Sequence, residues 1–215
     1  MTLVRSDPYD QLRAAIVSGE LQPNERLVEA DLSSKLGAGR SAVRTALTRL
    51  AQEGLIEQER NRGARVRKIG KEEAIQIYEA RAALEALAAR RAAQNATAAD
   101  ADSLRAILGE MRARLDAGDL LGASDHNARL HRQLLDIAGH AIVDRLVGTL
   151  NSHLVRFQYR TILVPGRAER SFAEHTAIVE AVAAGDPDAA ETAMRRHLGA
   201  ATDALRESVA YIREP

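Results

Sequence analysis

Apolar residues recur at three- and four-residue spacings along most of this chain, and the period breaks at a handful of glycines and prolines. That pattern predicts a mainly all-α protein. Residues 9–20 read as a first helix, with Leu12, Ala15 and Ile16 at helical spacing and Gly19 near its end. "LQPNERL" (21–27) reads as a polar turn around Pro23, and residues 28–36 as a second helix through Leu32 and Leu36. A third helix, Arg40–Glu53, places Val43, Leu47 and Leu50 on one face. After Gly54 the helical period ends. Leu55–Glu59 and Ala64–Lys68 read as short strands around "RNRG" (60–63), whose Gly63 can take a positive φ.

Beyond "IGKEEA" (69–74) the chain turns Ala- and Leu-rich and carries no proline until Pro165. Helices are predicted near 72–95, 98–116, 119–138, 140–163, 168–184 and 187–211, with breaks at Gly118, Gly139, Pro165–Gly166 and "GDP" (185–187). Asp186 followed by Pro187 pairs a cap residue with proline at the first turn. Two domains are expected, 1–70 and 71–215, the second an antiparallel bundle of about six helices.

The first domain combines a Gly-containing turn, a helix with arginines at its front and a basic β-ribbon. Together these describe a winged helix-turn-helix, three helices plus a β-hairpin wing, which reads DNA from the major groove. Charge sharpens that picture. The formal net charge is zero, yet residues 35–71 hold 10 Lys/Arg against 3 Asp/Glu, a footprint suited to phosphate. Arg40 and Arg44 lie one turn apart off the apolar face, and a guanidinium fork engages guanine or clamps phosphate. Ser41, Thr45 and Thr48 are candidates for further DNA contacts, and Arg60, Arg62 and Arg65 for wing contacts to the minor groove or backbone. No cysteine is present, which excludes disulfides and thiolate metal sites. The opening "MTLVRSDPYD" lacks the apolar stretch of a signal peptide and no apolar run approaches a membrane span, so a soluble cytoplasmic protein without membrane contact is expected.

These residues resemble a known family. Residues 12–66, "LRAAIVSGELQPNERLVEADLSSKLGAGRSAVRTALTRLAQEGLIEQERNRGARV", are similar to the GntR-type winged-helix domain of bacterial transcriptional regulators. "EARAALEALAARRAA" (79–93), "HNARLHRQLLDIAGH" (126–140) and "EHTAIVEAVAAGDPDAAETAMRRHL" (174–198), in that order, resemble the helical ligand-binding domain of the FadR subfamily, the FCD type. Two positions depart from the pattern. Asn24 stands where family members usually carry Gly, a replacement that tolerates the left-handed region. Ala30 follows Glu29 where the FadR branch proper has Arg, so that DNA contact is absent and a different operator is implied.

Three of the six histidines fall on inward-facing stripes. His131 shares a face with Asn127, Leu134, Leu135 and Ala138; His175 with Phe172, Ile178, Val179 and Val182; His197 with Met194, Leu198 and Ala201. Three imidazoles projected from three helices into one core are how helical proteins build a metal site. In the metal-binding branch of the resembled subfamily, an acidic residue four positions before the first histidine completes the ligand set. Here that position is Asn127, whose amide oxygen is a neutral, weaker ligand. A divalent ion is expected, with zinc first and nickel or manganese as alternatives. His126, His140 and His153 are given no such role.

Arg81 lies between Ile77 and Leu84 on the buried stripe of its helix and needs a partner, either Glu85 one turn later or an effector carboxylate. Arg156 and Arg160 form another one-turn pair suited to an effector. The resulting expectation is a homodimeric transcriptional regulator, a repressor, that binds a pseudo-palindromic double-stranded DNA operator and responds to a small organic acid in a metal-containing pocket. The alternatives are a metal-free pocket for an acyl or other organic ligand, and a metal-dependent hydrolase. Catalysis is disfavoured. Glu174 adjoins His175, but consecutive helical residues point about 100° apart, and no nucleophile elbow, phosphate loop or HExxH pattern occurs.

Overall fold

Proline in the first turn and a left-handed glycine at the end bound the first helix, α1 (Pro8–Ser18). Asp7 accepts the Tyr9 N–H, and Gly19 at φ 78° closes the last turn two residues earlier than the hydrophobic period suggests. The computed structural model describes residues 7–59, 63–162 and 164–208, and the chain forms two compact units, Met1–Gly70 and Lys71–Pro215.

In the N-terminal unit the segment read as a polar turn contains a strand. Asn24 takes φ 63° and donates its N–H to the Val66 carbonyl at 2.9 Å, while Val66 donates to Glu25 at 2.9 Å. These bonds align β1 (Arg26–Leu27) with the chain that follows α2 (Glu29–Leu36), α3 (Arg40–Gln52), β2 (Ile56–Glu59) and β3 (Gly63–Val66). The strands are antiparallel in the order β1–β3–β2, with Arg26 opposite Arg65 and Ile56 opposite Val66. The wing is therefore a three-stranded sheet, not a lone hairpin. Two residues are too short for a hydrophobic alternation to be visible, which is why β1 escaped the pattern. Leu12, Leu27, Val43, Leu50 and Ile56 close the core of this unit, all buried.

The C-terminal unit contains α4 (Lys71–Asn95), α5 (Ala98–Asp116), α6 (Leu120–Ala138), α7 (Ala141–Ile162), α8 (Arg167–Ala183) and α9 (Pro187–Ser208) among the described residues. The ends expected at 163 and 211 lie outside the described residues. Central to the unit is α4, which packs against α6, α7, α8 and α9. Ala74, Ala86, Ala89 and Ala92 on α4 are wholly buried. Their small side chains let neighbouring helices approach closely, since interaxial distance follows the size of the contact residues. Polar caps set the helix starts. Thr97 and Asp100 form a reciprocal capping box on α5, and Asp119 accepts the Gly122 N–H of α6 at 2.9 Å. His140, at the α6–α7 junction, accepts the Val143 N–H at 3.4 Å. Among the described residues, no helix is long and apolar enough to cross a membrane.

Removing the Thr97 cap (Thr97→Ala) is expected to cost about 1 kcal/mol. Truncating the fully buried Ile178 to Ala is expected to cost about 2–5 kcal/mol. Urea denaturation of the full chain measures both, and an Ile178→Ala loss below that of Thr97→Ala would contradict this placement of the core.

Candidate functional site

Two sites emerge, one in each unit. In the N-terminal unit, Gly37 at φ 57° makes the tight turn between α2 and α3, and α3 starts at Arg40 behind Gly39. The first turn of α3 holds no acid, whereas α1 carries Asp10 and α2 carries Glu29 and Asp31 there. Arginines at the positive end of a helix dipole are unfavourable for the isolated helix, but they make its start attractive to phosphate. Arg40, Ser41, Arg44, Thr45 and Thr48 are all exposed.

Arg44 does not wave freely. Its Nε and Nη2 donate to the two carboxylate oxygens of Glu29 at 3.2 and 3.0 Å, which aims the guanidinium across α2. That pair lowers the Glu29 pKa, chiefly through the hydrogen bond from Arg44. The Thr48 hydroxyl donates to the Arg44 carbonyl at 3.0 Å. Arg44 and Thr48 line one side of a groove of about 610 Å³, and Arg26, Gln58 and Gly63 of the sheet line the other. Arg65 is half-buried on β3 between Arg26 and Glu57. Arg60 and Arg62 lie outside the described residues. The pattern reading missed Arg26, because its segment was taken for a turn and a two-residue strand leaves no alternation to read.

In the C-terminal unit, α6, α8 and α9 bring His131, His175 and His197 together. One nitrogen of each lies within 4.8 Å of the others, and the residues are 5%, 0% and 4% exposed. The outer nitrogens are occupied. His131 Nδ1 lies 2.5 Å from Glu85 Oε2, and His197 Nδ1 lies 2.8 Å from Glu174 Oε2. His175 has a backbone hydrogen bond with Ser171, whose Oγ lies 3.5 Å from its Nδ1.

Each glutamate is in turn held by an arginine. Arg81 Nε donates to Glu85 at 2.6 Å, and Arg167 Nη2 bonds Glu174 at 2.8 Å. Two Arg–Glu–His chains thus run into one cluster among the described residues. Burial opposes ionisation of Glu85, but Arg81 and then His131 override it and hold its pKa far below the usual carboxylate range. An ionised carboxylate only accepts, so His131 Nδ1 carries a proton toward Glu85, and its Nε2 is turned toward His175.

This arrangement fits a cation. His131 Nε2 and His175 Nε2 lie 3.3 Å apart, so ring nitrogens from two helices converge on one point. Asn127, one turn before His131 on α6, has a buried Oδ1 with no hydrogen-bond partner among the described residues. Imidazoles whose outer N–H groups bond carboxylates are the usual supporting arrangement of metal-binding histidines.

Of the two partners open to Arg81, the structure supplies Glu85. Arg156 and Arg160 fall on α7, where their side chains lie outside the described residues. Glu85, Glu174 and Arg167 were not recognised as parts of the site. The spacing of Arg167 and Glu174, two turns apart on one helix, hinted at their pairing; the reach of Glu174 to His197 crosses helices and left no local trace.

Burial, then the neighbouring positive groups, hold the His175 and His197 pKa values well below 6.5. As pH falls below about 6.5 the unfolded chain therefore binds more protons than the folded one, and stability falls with it. Metal-free protein is expected to show this slope in thermal melts, and His175→Ala to flatten it. An unchanged slope in that variant would contradict a neutral, buried His175.

Comparison with known proteins agrees with both units. Residues 6–66 match the bacterial regulatory proteins of the gntR family, and residues 76–200 match the FCD domain. The chain is 28% identical over 211 residues to a probable D-xylose utilization operon transcriptional repressor of Paenarthrobacter nicotinovorans, covering 96% of this chain and 91% of that protein. It is 30% identical over 212 residues to the HTH-type transcriptional regulator LutR of Bacillus subtilis (strain 168), covering 88% and 95%. The structure of E. coli McbR/YncC shares the fold at a TM-score of 0.77 and 20% identity, covering 96% of this chain and 99% of that one. These families and relatives are transcriptional regulators, not enzymes. A winged helix-turn-helix joined to a histidine-bearing helical bundle, matched over nearly its whole length, places this chain in the GntR family of bacterial regulators, in the branch that carries an FCD domain.

Proposed function

We propose that this regulator is a cytoplasmic, homodimeric repressor whose operator affinity is set by a small organic acid bound in a metal-containing pocket of the bundle. One observation carries the reading: three buried imidazoles converge with their outer nitrogens engaged, and one turn before His131 on the same helix Asn127 has a buried oxygen without a hydrogen-bond partner among the described residues. Asn127, His131, His175 and His197 would hold a divalent ion, zinc by the preference of nitrogen-rich sites and otherwise nickel or manganese. When bound, the ion supplies a positive charge and coordination positions open to a carboxylate. Arg81, Arg156 and Arg160 are the arginines assigned to the effector.

On DNA, Arg40 and Arg44 read or clamp the major groove, with Ser41, Thr45 and Thr48 beside them and Arg60, Arg62 and Arg65 on the wing. Glu29 prepares Arg44 by fixing its fork before DNA arrives. Two copies related by a two-fold axis would read a pseudo-palindrome. Effector and operator then weaken each other by the same factor, typically about 1–3 kcal/mol.

Elemental analysis of untagged protein purified without chelator is expected to find about one divalent ion per chain, less in His175→Ala, and tighter retention in Asn127→Asp. A metal-free, stable and DNA-competent protein would instead favour a pocket that reads an acyl or other organic ligand through arginines and apolar walls. For the DNA face, Arg44→Ala is expected to lose about 1–3 kcal/mol of affinity for an operator selected from random duplexes. Equal affinity in that variant, measured by fluorescence anisotropy, would refute the placement of the reading helix.

A further inference from the structure

Arg26 is exposed on β1, an edge strand of the wing sheet. It lines the groove of about 610 Å³ between α3 and that sheet, together with Glu29 of α2, Arg44 and Thr48 of α3 and Gln58 of β2. Of the three charged residues in this groove, two satisfy each other, since Glu29 accepts both bonds donated by Arg44. Arg26 has no hydrogen bond or ion pair among the described residues. The groove therefore keeps one net positive charge, on its β1 side.

The sheet does not supply a counter-charge. Arg65 stands directly opposite Arg26 on β3, and like charges opposed across two strands are destabilising. The acid in that row is Glu57, opposite Arg65 on β2 and paired with Arg67 at 3.8 Å. It lies two strand spacings from Arg26, about 10 Å, which is beyond ion-pair reach and near the screening length at physiological salt. An anion from outside would relieve the opposed arginines.

The architecture says which anion arrives there. A helix in the major groove and a wing at the adjoining minor groove lie on either side of one sugar–phosphate strand. That strand has to cross the gap between helix and sheet, and here the gap is the groove that Arg26 lines. Glu29 would repel a phosphate, but Arg44 offsets its charge. We propose that Arg26 is a phosphate anchor, which holds the crossing strand and so fixes the register of α3 without reading a base. The inference rests on the reading of α3 as the DNA-reading helix and adds a division of labour to it. Arg44, fixed by Glu29, is directed at sequence, whereas Arg26 holds the backbone and acts alike on every duplex.

Fluorescence anisotropy on the full chain tests this with a duplex selected from random sequence and a scrambled duplex of equal length, over about 50–200 mM salt. Arg26→Gln is expected to weaken both duplexes by the same factor, about tenfold. It is also expected to lower the slope of log affinity against log salt by about 0.9 per bound chain. Arg26→Lys should restore that slope, because a point charge suffices for phosphate. Neither variant should shift the thermal melt, since Arg26 is exposed and unpaired among the described residues. An unchanged slope in Arg26→Gln would overturn the anchor. So would a loss confined to the selected duplex, which would make Arg26 a base reader, while leaving α3 as the reading helix. A wild-type chain that binds neither duplex would remove the DNA reading and the anchor together.

Discussion

A carboxylate buried between an arginine and an imidazole is the interaction on which the C-terminal unit depends. Glu85 is 1% exposed and bridges Arg81 to His131, and Glu174 bridges Arg167 to His197. Taking such charges out of water costs several kcal/mol per ion, and only close, well-directed partners offset that cost. The chain meets this demand by using each glutamate twice. One face neutralises the guanidinium and the other directs an imidazole, so charge compensation and ring orientation come from the same atoms. The alanine-lined α4 makes this possible, because α6, α8 and α9 can all approach the helix that carries Arg81 and Glu85.

A related economy governs the N-terminal unit. Glu29 and Arg44 meet on the exposed surface, where an ion pair contributes little to stability. Its value lies in geometry. A long, flexible arginine loses much rotamer freedom on ordering, and the two-point contact with Glu29 settles part of that loss in advance. The same physical pairing therefore serves opposite ends in the two units: deep in the bundle it makes charge tolerable, and on α3 it narrows the positions a solvent-exposed fork can take.

The helical architecture was legible in the hydrophobic period because each helix buries one stripe and is bounded by an ordinary signal, such as Gly19, Gly37, the Thr97–Asp100 box or Asp186–Pro187. The histidine trio was legible for the same reason, since a polar residue on an apolar stripe stands out. Strand β1 was not, because its two residues are held by Asn24 and Glu25 bonding to Val66 about 40 positions away, and no local pattern records that. Arg81 was read as needing a partner on the buried stripe of its helix, and Glu85, one turn on, holds its Nε at 2.6 Å. Glu174 was weighed only as a general base beside His175. Its actual partners, Arg167 and His197, lie two turns back on α8 and across on α9, and only packing reveals the second of them.

The doubled use of Glu85 and Glu174 has an evolutionary corollary. Losing one member of a buried pair strands its partner at about 3–5 kcal/mol, whereas exchanging both members for apolar residues of similar volume is often close to neutral. Arg81 with Glu85, and Arg167 with Glu174, should therefore drift as units. Descent within this branch can keep both chains or discard a whole one along with its histidine's orientation, but single steps between those states pass through a protein that folds poorly.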